Sequence, residues 1–147
     1  MGIQVHYIPY LSEENITPLL NDKTRAVFGE VISNPGLDVI DVSAVAAFVH
    51  THQVPLILDS TTATPLLIRP LKLGADVVVH SSSKYINGSG NSISGIIVDG
   101  GKFKWDKDRI SGNEGIQQIR KVCLHCKTSK RCVEKYGWVS RANERLP

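Results

Sequence analysis

Apolar residues in this chain fall into short runs separated by polar stretches, and the runs carry two different periods. Residues 3–8, Ile-Gln-Val-His-Tyr-Ile, alternate apolar and polar and predict a short strand. Ser12 then fits a helix N-cap, with Glu13 and Glu14 in the first turn, where the helix dipole favours acids; Leu19 and Leu20 would face a core. The run from Ala26 to Ile32 predicts a strand ending at Ser33-Asn34-Pro35-Gly36, a cluster of turn-forming residues. Asp41 opens a second helix as its N-cap. Val42, Val45, Ala46 and Val49 repeat at i, i+3, i+4 and i+7 on one face of it.

The next runs are strand-like. Pro55-Leu56-Ile57-Leu58 is short, fully apolar and ends in Asp59. Leu66 to Gly74 is a proline-punctuated connection with room for one helical turn. Val77-Val78-Val79 and Ile96-Ile97-Val98 predict two further strands. Near-continuous apolar strands separated by helical segments indicate an α/β fold, a mostly parallel sheet covered on both faces by helices. No internal repeat is present. After about Arg109 the periodicity fades, although Ile116, Ile119 and Val122 could mark one more helix. The expected division is therefore a sheet domain over 1–109 and a divergent tail over 110–147.

Composition changes this picture only at the tail. With 147 residues, 41% apolar and 21% charged, the chain has the balance of a globular domain with a true core. No apolar stretch reaches the ~20 residues that span a bilayer, and the N-terminus lacks a signal-peptide pattern, so the expected setting is cytoplasmic, without a membrane partner. The formal charge is +3, yet from Lys102 to Arg145 seven lysines and five arginines stand against five acids. No aromatic interleaving or RNA-binding motif accompanies them, which reads as a solvated basic tail rather than a nucleic-acid surface. All three cysteines, Cys123, Cys126 and Cys132, lie in this tail with His125. Their C-x2-C-x5-C spacing lacks the second pair that makes zinc motifs convincing, so no metal site is assigned.

Candidate chemistry collects at the predicted strand ends, where open parallel sheets bind ligands. Three clusters stand there: Glu30 with Ser33 and Asn34, Asp59 with Ser60 and Thr61, and Ser81 with Ser83 and Lys84. Asp59, ending an apolar strand, suits a cationic partner such as a protonated aromatic nitrogen. Serine hydroxyls donate to a phosphate, and a lysine amine in a desolvated or cationic setting attacks a carbonyl to form a Schiff base. Taken singly, an aspartate at a strand end such as Asp59 is more often a helix or turn cap, and a Ser-Ser-Ser-Lys run such as 81–84 is usually a solvated loop. Taken together, the three describe a pyridoxal phosphate site.

The motifs that carry these residues resemble a known family. Glu30-Val-Ile-Ser-Asn-Pro-Gly-Leu37, Leu58-Asp-Ser-Thr61, Arg69-Pro-Leu-Lys-Leu-Gly-Ala-Asp76 and Val79-His-Ser-Ser-Ser-Lys-Tyr85 are similar to successive motifs of the Cys/Met-metabolism pyridoxal phosphate enzymes. Within that family, Gly95-Ile-Ile-Val-Asp-Gly-Gly-Lys-Phe-Lys-Trp105 is most similar to O-acetylhomoserine sulfhydrylases. The resemblance runs from about Gly2 to Trp105. It implies part of the large domain of a fold-type I enzyme, with Lys84 as the lysine bonded to the cofactor and later the proton-moving base. It further implies Asp59 on the pyridine nitrogen, Ser81 and Ser83 on the phosphate, and Asn34 near the ring hydroxyl.

The implied reaction is displacement of acetate from O-acetylhomoserine by sulfide, giving homocysteine, a step of methionine biosynthesis. Other γ-carbon enzymes of the family (cystathionine γ-synthase, cystathionine γ-lyase, methionine γ-lyase) are the alternative reading, and an inactive remnant or interaction module is the non-enzymatic one. Full-length relatives are homo-oligomers with shared sites. The resemblance implies that this chain is a fragment, without the upstream phosphate loop and ring-stacking aromatic residue or the downstream small domain with its carboxylate-binding arginine. Two departures stand within the motifs. Ser83 replaces a frequent threonine but keeps the hydroxyl, and Ser89 stands where a histidine is usual.

Overall fold

A computed structural model describes residues 4–105, which belong to one unit, Met1–Trp105. The cysteine cluster of the tail lies outside the described residues. Four short strands form one sheet in the order β1-β2-β3-β4: β1 (Val27–Glu30), β2 (Leu56–Asp59), β3 (Val77–His80) and β4 (Ile96–Asp99). The first three are parallel, with Phe28 level with Ile57 and Leu58 level with Val78. β4 runs antiparallel to β3, pairing Val78 with Val98. A right-handed crossover containing a helix suits each parallel step, whereas the 81–95 connection is a loop that simply returns the chain.

The helical connection between β1 and β2 is the one the sequence marks most strongly. Asp41 caps α2 (Val42–Thr51), its Oδ1 accepting a hydrogen bond from the Ala44 amide at 3.0 Å. The predicted apolar stripe, Val42, Val45, Ala46 and Val49, is buried. It packs with Val31, Val54, Leu56, Leu58, Ala63 and Val78 into one core. Each such aliphatic side chain contributes about 1.5–3 kcal/mol when fully removed from water. Gly74, at φ +110°, follows a 3-10 turn over Pro70–Lys72; a Cβ there would stand 2.8 Å from that of Ala46, so glycine allows the turn to close on α2.

Several expectations are corrected. Residues 4–8 form no strand, because alternation alone supplies no pairing partner. Ser12 does cap a helix, accepting from the Asn15 amide at 3.4 Å, but α1 (Glu13–Ile16) is a single turn. Pro18 then diverts the chain into a 3-10 turn over Thr17–Leu19; Leu19 and Leu20 are half-buried, and Leu20 packs against the core. The strand expected over Ala26–Ile32 is shorter, and Ile32 instead bridges to Val39. The connection from Leu66 to Gly74 keeps only the last residues of α3 (Thr64–Leu67) and the 3-10 turn.

Among the described residues, the sheet is not covered on both faces along its whole width. Leu56 and Leu58 are buried and Ile57 half-buried, but Ile96, Ile97 and Val98 of β4 are all exposed, at 42, 52 and 38%. An apolar run therefore signals a strand here without signalling its burial. Its antiparallel direction was not marked by any residue type.

Candidate functional site

The parallel register brings the ends of β1, β2 and β3 to one level. Glu30 pairs with Asp59, and Asp59 with Val79. Beyond that level each chain leaves the sheet, and the side chains that follow line a cleft of about 60 Å³: Glu30, Ile32, Asn34, Asp59, Thr61, Thr62, Ser81 and Lys84. This is room for about two waters at liquid density, so the cleft receives the polar end of a ligand rather than enclosing one.

Within the cleft the polar groups are held by short local hydrogen bonds. The Asn34 amide donates to Glu30 Oε2 at 2.8 Å, closing the turn after β1. Asp59 Oδ1 accepts from the Thr61 amide at 2.8 Å, an Asx turn that orients the carboxylate away from the core. Thr61 is buried, and its hydroxyl oxygen accepts from the Ser81 amide at 2.7 Å. Thr61 thus ties the end of β2 to the end of β3 and relates the Asp59 carboxylate to the Ser81 backbone. Asp59 Oδ2 has no hydrogen-bond partner among the described residues.

Lys84 lies in the turn after β3 and is exposed. No ion pair involves it among the described residues, although two carboxylates line the same cleft. With Glu30 and Asp59 ionised and Lys84 protonated, the cleft carries one net negative charge. The site therefore offers a carboxylate with an unsatisfied oxygen, hydroxyls and a primary amine around one opening. That donor set suits a ligand combining a cationic ring nitrogen, an anionic group and an electrophilic carbonyl carbon.

The structure brings Asn34, Asp59, Ser81 and Lys84 together. It does not bring Ser83 with them. Ser83 Oγ accepts from the Ser94 amide at 2.7 Å and donates to the Ser94 carbonyl at 3.1 Å, so this hydroxyl serves the return loop before β4. Ser33 and Ser60 also leave the cleft. Ser33 Oγ accepts from the Asp38 amide at 2.9 Å within its turn. Ser60 is 1% exposed, and its hydroxyl has no partner among the described residues, consistent with side chains alternating about the strand axis between Asp59 and its successor.

Sequence reasoning missed Thr62 and Ile32 as lining residues and did not give Thr61 its tying role. The signal available was the Thr61-Thr62 pair directly after Asp59, since a threonine two residues beyond a strand end can reach the neighbouring strand. Thr61→Val keeps the shape and removes the acceptor for the Ser81 amide. It is expected to lower the unfolding free energy by about 1 kcal/mol. A denaturant titration with an unchanged midpoint would show that the amide finds another acceptor. Among the described residues, no group of three or more histidines, cysteines or acids could hold a metal ion.

An open α/β sheet with a carboxylate, hydroxyls and an amine at its strand ends defines a class of protein, a ligand-binding domain whose chemistry sits outside the carboxyl edge of the sheet. Comparison with known proteins narrows the class. The model of the Cys/Met metabolism PLP-dependent enzyme family matches residues 1–119, and the chain belongs to that family. Its cofactor is pyridoxal 5′-phosphate. The match extends beyond Trp105, where the motifs recognised in the sequence end.

An O-acetyl-L-homoserine sulfhydrylase of Leptospira meyeri is 48% identical over 110 residues, 75% of this chain and 25% of the relative. One from Corynebacterium glutamicum is 44% identical over 74% of this chain and 25% of its own length. A Campylobacter jejuni protein described as an O-acetylhomoserine (thiol)-lyase, whose crystal structure contains a pyridoxyl-lysine monophosphate, superposes with a TM-score of 0.61. It is 31% identical, over 70% of this chain and 25% of that one. Cystathionine γ-lyase from Lactobacillus plantarum superposes at 0.58 with 33% identity, over 60% and 23% of the two chains. The chain spans about a quarter of the length of the curated relatives it matches.

Proposed function

We propose that this chain supplies the cofactor-anchoring centre of a sulfur amino-acid enzyme that converts O-acetyl-L-homoserine and sulfide to homocysteine and acetate. The observation that carries the reading is the convergence of Asn34, Asp59, Ser81 and Lys84 on one cleft. The 48% identity to a named O-acetyl-L-homoserine sulfhydrylase supports the substrate choice.

In this reading Asp59 directs its unpaired carboxylate oxygen at the pyridine nitrogen, keeping that nitrogen protonated. Ser81 donates its hydroxyl to the phosphate, and Asn34 stands near the ring hydroxyl. Lys84 is the residue that would hold the cofactor through its aldehyde carbon, and its Nζ would carry protons to and from the substrate carbons. Pyridoxal phosphate, when bound, supplies the electron sink that makes loss of acetate from the γ-carbon feasible. Thr61 keeps Asp59 and Ser81 in fixed relation while this happens.

The whole protein is taken to act in the cytoplasm on an amino acid and sulfide, as a homo-oligomer. Large apolar side chains at the surface support an assembled state: Tyr7 is 93% exposed, Leu66 89% and Ile93 99%. A second reading, γ-elimination as in cystathionine γ-lyase, is favoured by the likeness to that enzyme.

A chimera separates the two readings. The matching 110 residues of this chain replace those of the Leptospira relative, and products are measured with O-acetylhomoserine plus sulfide and, separately, with cystathionine. Sulfide-dependent homocysteine without cystathionine cleavage is the expected result. Cystathionine cleavage, or a folded chimera yielding neither product, would contradict the proposed reaction.

A further inference from the structure

We propose that Asn87 is a covalent modification site, losing its side-chain amide nitrogen by ring closure onto the Gly88 backbone nitrogen at a rate set by opening of the turn that carries Lys84. The inference goes beyond the reaction above and holds whether or not Lys84 bears the cofactor.

The chemistry needs an asparagine followed by a residue that leaves room for a ring. The backbone nitrogen of that residue attacks the asparagine side-chain carbonyl carbon. A carbon–nitrogen bond forms, the bond to Nδ2 breaks, and ammonia departs with the proton of the attacking amide. Water then opens the cyclic imide at either of its carbonyls. One opening leaves an aspartate. The other leaves an isoaspartate, whose main chain runs through the former side chain and is longer by one carbon. Ammonia leaves, water enters, and nothing is oxidised or reduced. A Cβ on the following residue crowds the closure, and proline, which has no N–H, forbids it.

Sequence and structure together select one position. Asn87 is the only asparagine of the chain that precedes glycine, whereas Asn34 precedes proline. A Cβ built on Gly88 would meet nothing within 4 Å, so the attacking residue stands in open space. Every residue from Lys84 to Ile93 is exposed, which gives water access to the imide. Asn87 Nδ2 donates to Asn91 Oδ1 at 3.2 Å, and Asn87 Oδ1 has no partner among the described residues.

The fold also supplies a brake. The Gly88 amide donates to the Lys84 carbonyl at 2.8 Å, and the Asn87 amide to the Ser82 carbonyl at 2.9 Å. Gly88 cannot surrender its proton and turn to the Asn87 side chain until the first of these bonds opens. The net strength of one such bond makes ring closure about threefold to tenfold slower than in an open chain. Exposed turns with few buried contacts open most readily, so the brake slows the reaction without stopping it. An isoaspartate then lengthens the main chain just before Gly88 and displaces its amide from the Lys84 carbonyl. The turn does not close again.

The test keeps the full chain in mildly alkaline buffer, its fold confirmed by circular dichroism, beside the same chain unfolded in urea. Peptides containing each asparagine are weighed and fragmented over time. The expected result is a gain of about 1 Da at position 87, with aspartate and isoaspartate both present and one solvent oxygen incorporated from heavy-oxygen water. Conversion should be about threefold to tenfold slower in the folded chain than in urea, with matching protection of the Gly88 amide from hydrogen exchange. Asn87→Gln, whose longer side chain closes its ring far more slowly, should show no gain over the same time. Position 87 unchanged in the folded chain after about ten times the period that converts the unfolded one would overturn the site. Equal conversion at Asn15, Asn21 and Asn91 would overturn it too. Equal rates in folded and unfolded chain would overturn the brake.

Discussion

Alanine at position 84 is expected to leave the chain folded and to abolish the visible absorbance band that pyridoxal phosphate produces on covalent attachment. The reason is local. Lys84 lies in an exposed turn, outside the core, so truncating its side chain removes no buried contact. It is also the lysine that lines the cleft with Asp59 and Ser81. Residual binding should survive through the phosphate and ring contacts, weaker by about tenfold or more. Lysines of the described surface, such as Lys23 and Lys72, are not among the lining residues and serve as controls. Lys72→Ala should keep the band at wild-type intensity. A band that persists in Lys84→Ala would move the reactive amine elsewhere.

The second large effect lies at the opposite end of the strands. Asp76, 5% exposed, sits just before β3 and accepts two hydrogen bonds on one oxygen, from the Leu56 amide at 2.8 Å and from His50 Nε2 at 2.7 Å. One carboxylate thus joins the start of β2, the start of β3 and the last turn of α2. Alanine there leaves the Leu56 amide unsatisfied beside the fully buried Leu56 side chain and removes the partner of His50.

An unsatisfied buried donor costs about 1–3 kcal/mol, and loss of a buried charged partner adds to it, so about 3 kcal/mol is expected for Asp76→Ala. In a domain of this size that lowers Tm by about 10–20 °C. Asp76→Asn retains an acceptor for the Leu56 amide and should lose less than half as much. A melting curve for Asp76→Ala within a few degrees of wild type would show that the junction is held by packing alone.

How far the sequence revealed these features depends on how local their causes are. Asp41 and its valine stripe carry a complete helix signal, and the structure follows it. The pairing of β1, β2 and β3 follows from apolar runs that alternate with helical connections. The direction of β4 depends on the length and path of the loop before it, which no single residue states. Residues 4–8 alternate like a strand but have no partner, and strand formation is a property of pairs.

The same distinction applies to the site. Asn34, Asp59, Ser81 and Lys84 were legible because each stands within about five residues of the end of an apolar run. Ser83 stands there too, and pattern alone cannot tell that its hydroxyl turns to Ser94, eleven residues on. Asp76 was quoted within a motif without a role. Its two partners lie 20 and 26 residues away in the chain, and a contact of that kind is visible only once the fold is formed.

The central claim is that Lys84 is the residue that joins the cofactor. The full chain is incubated with pyridoxal phosphate, reduced with borohydride to make the attachment permanent, digested, and each lysine-containing peptide weighed. The account predicts one pyridoxyl-phosphate addition per chain, on the peptide containing Lys84, and its disappearance when excess pyridoxal phosphate is replaced by phosphate ion alone. Addition spread evenly over the surface lysines, or concentrated on a lysine outside the cleft, would contradict it.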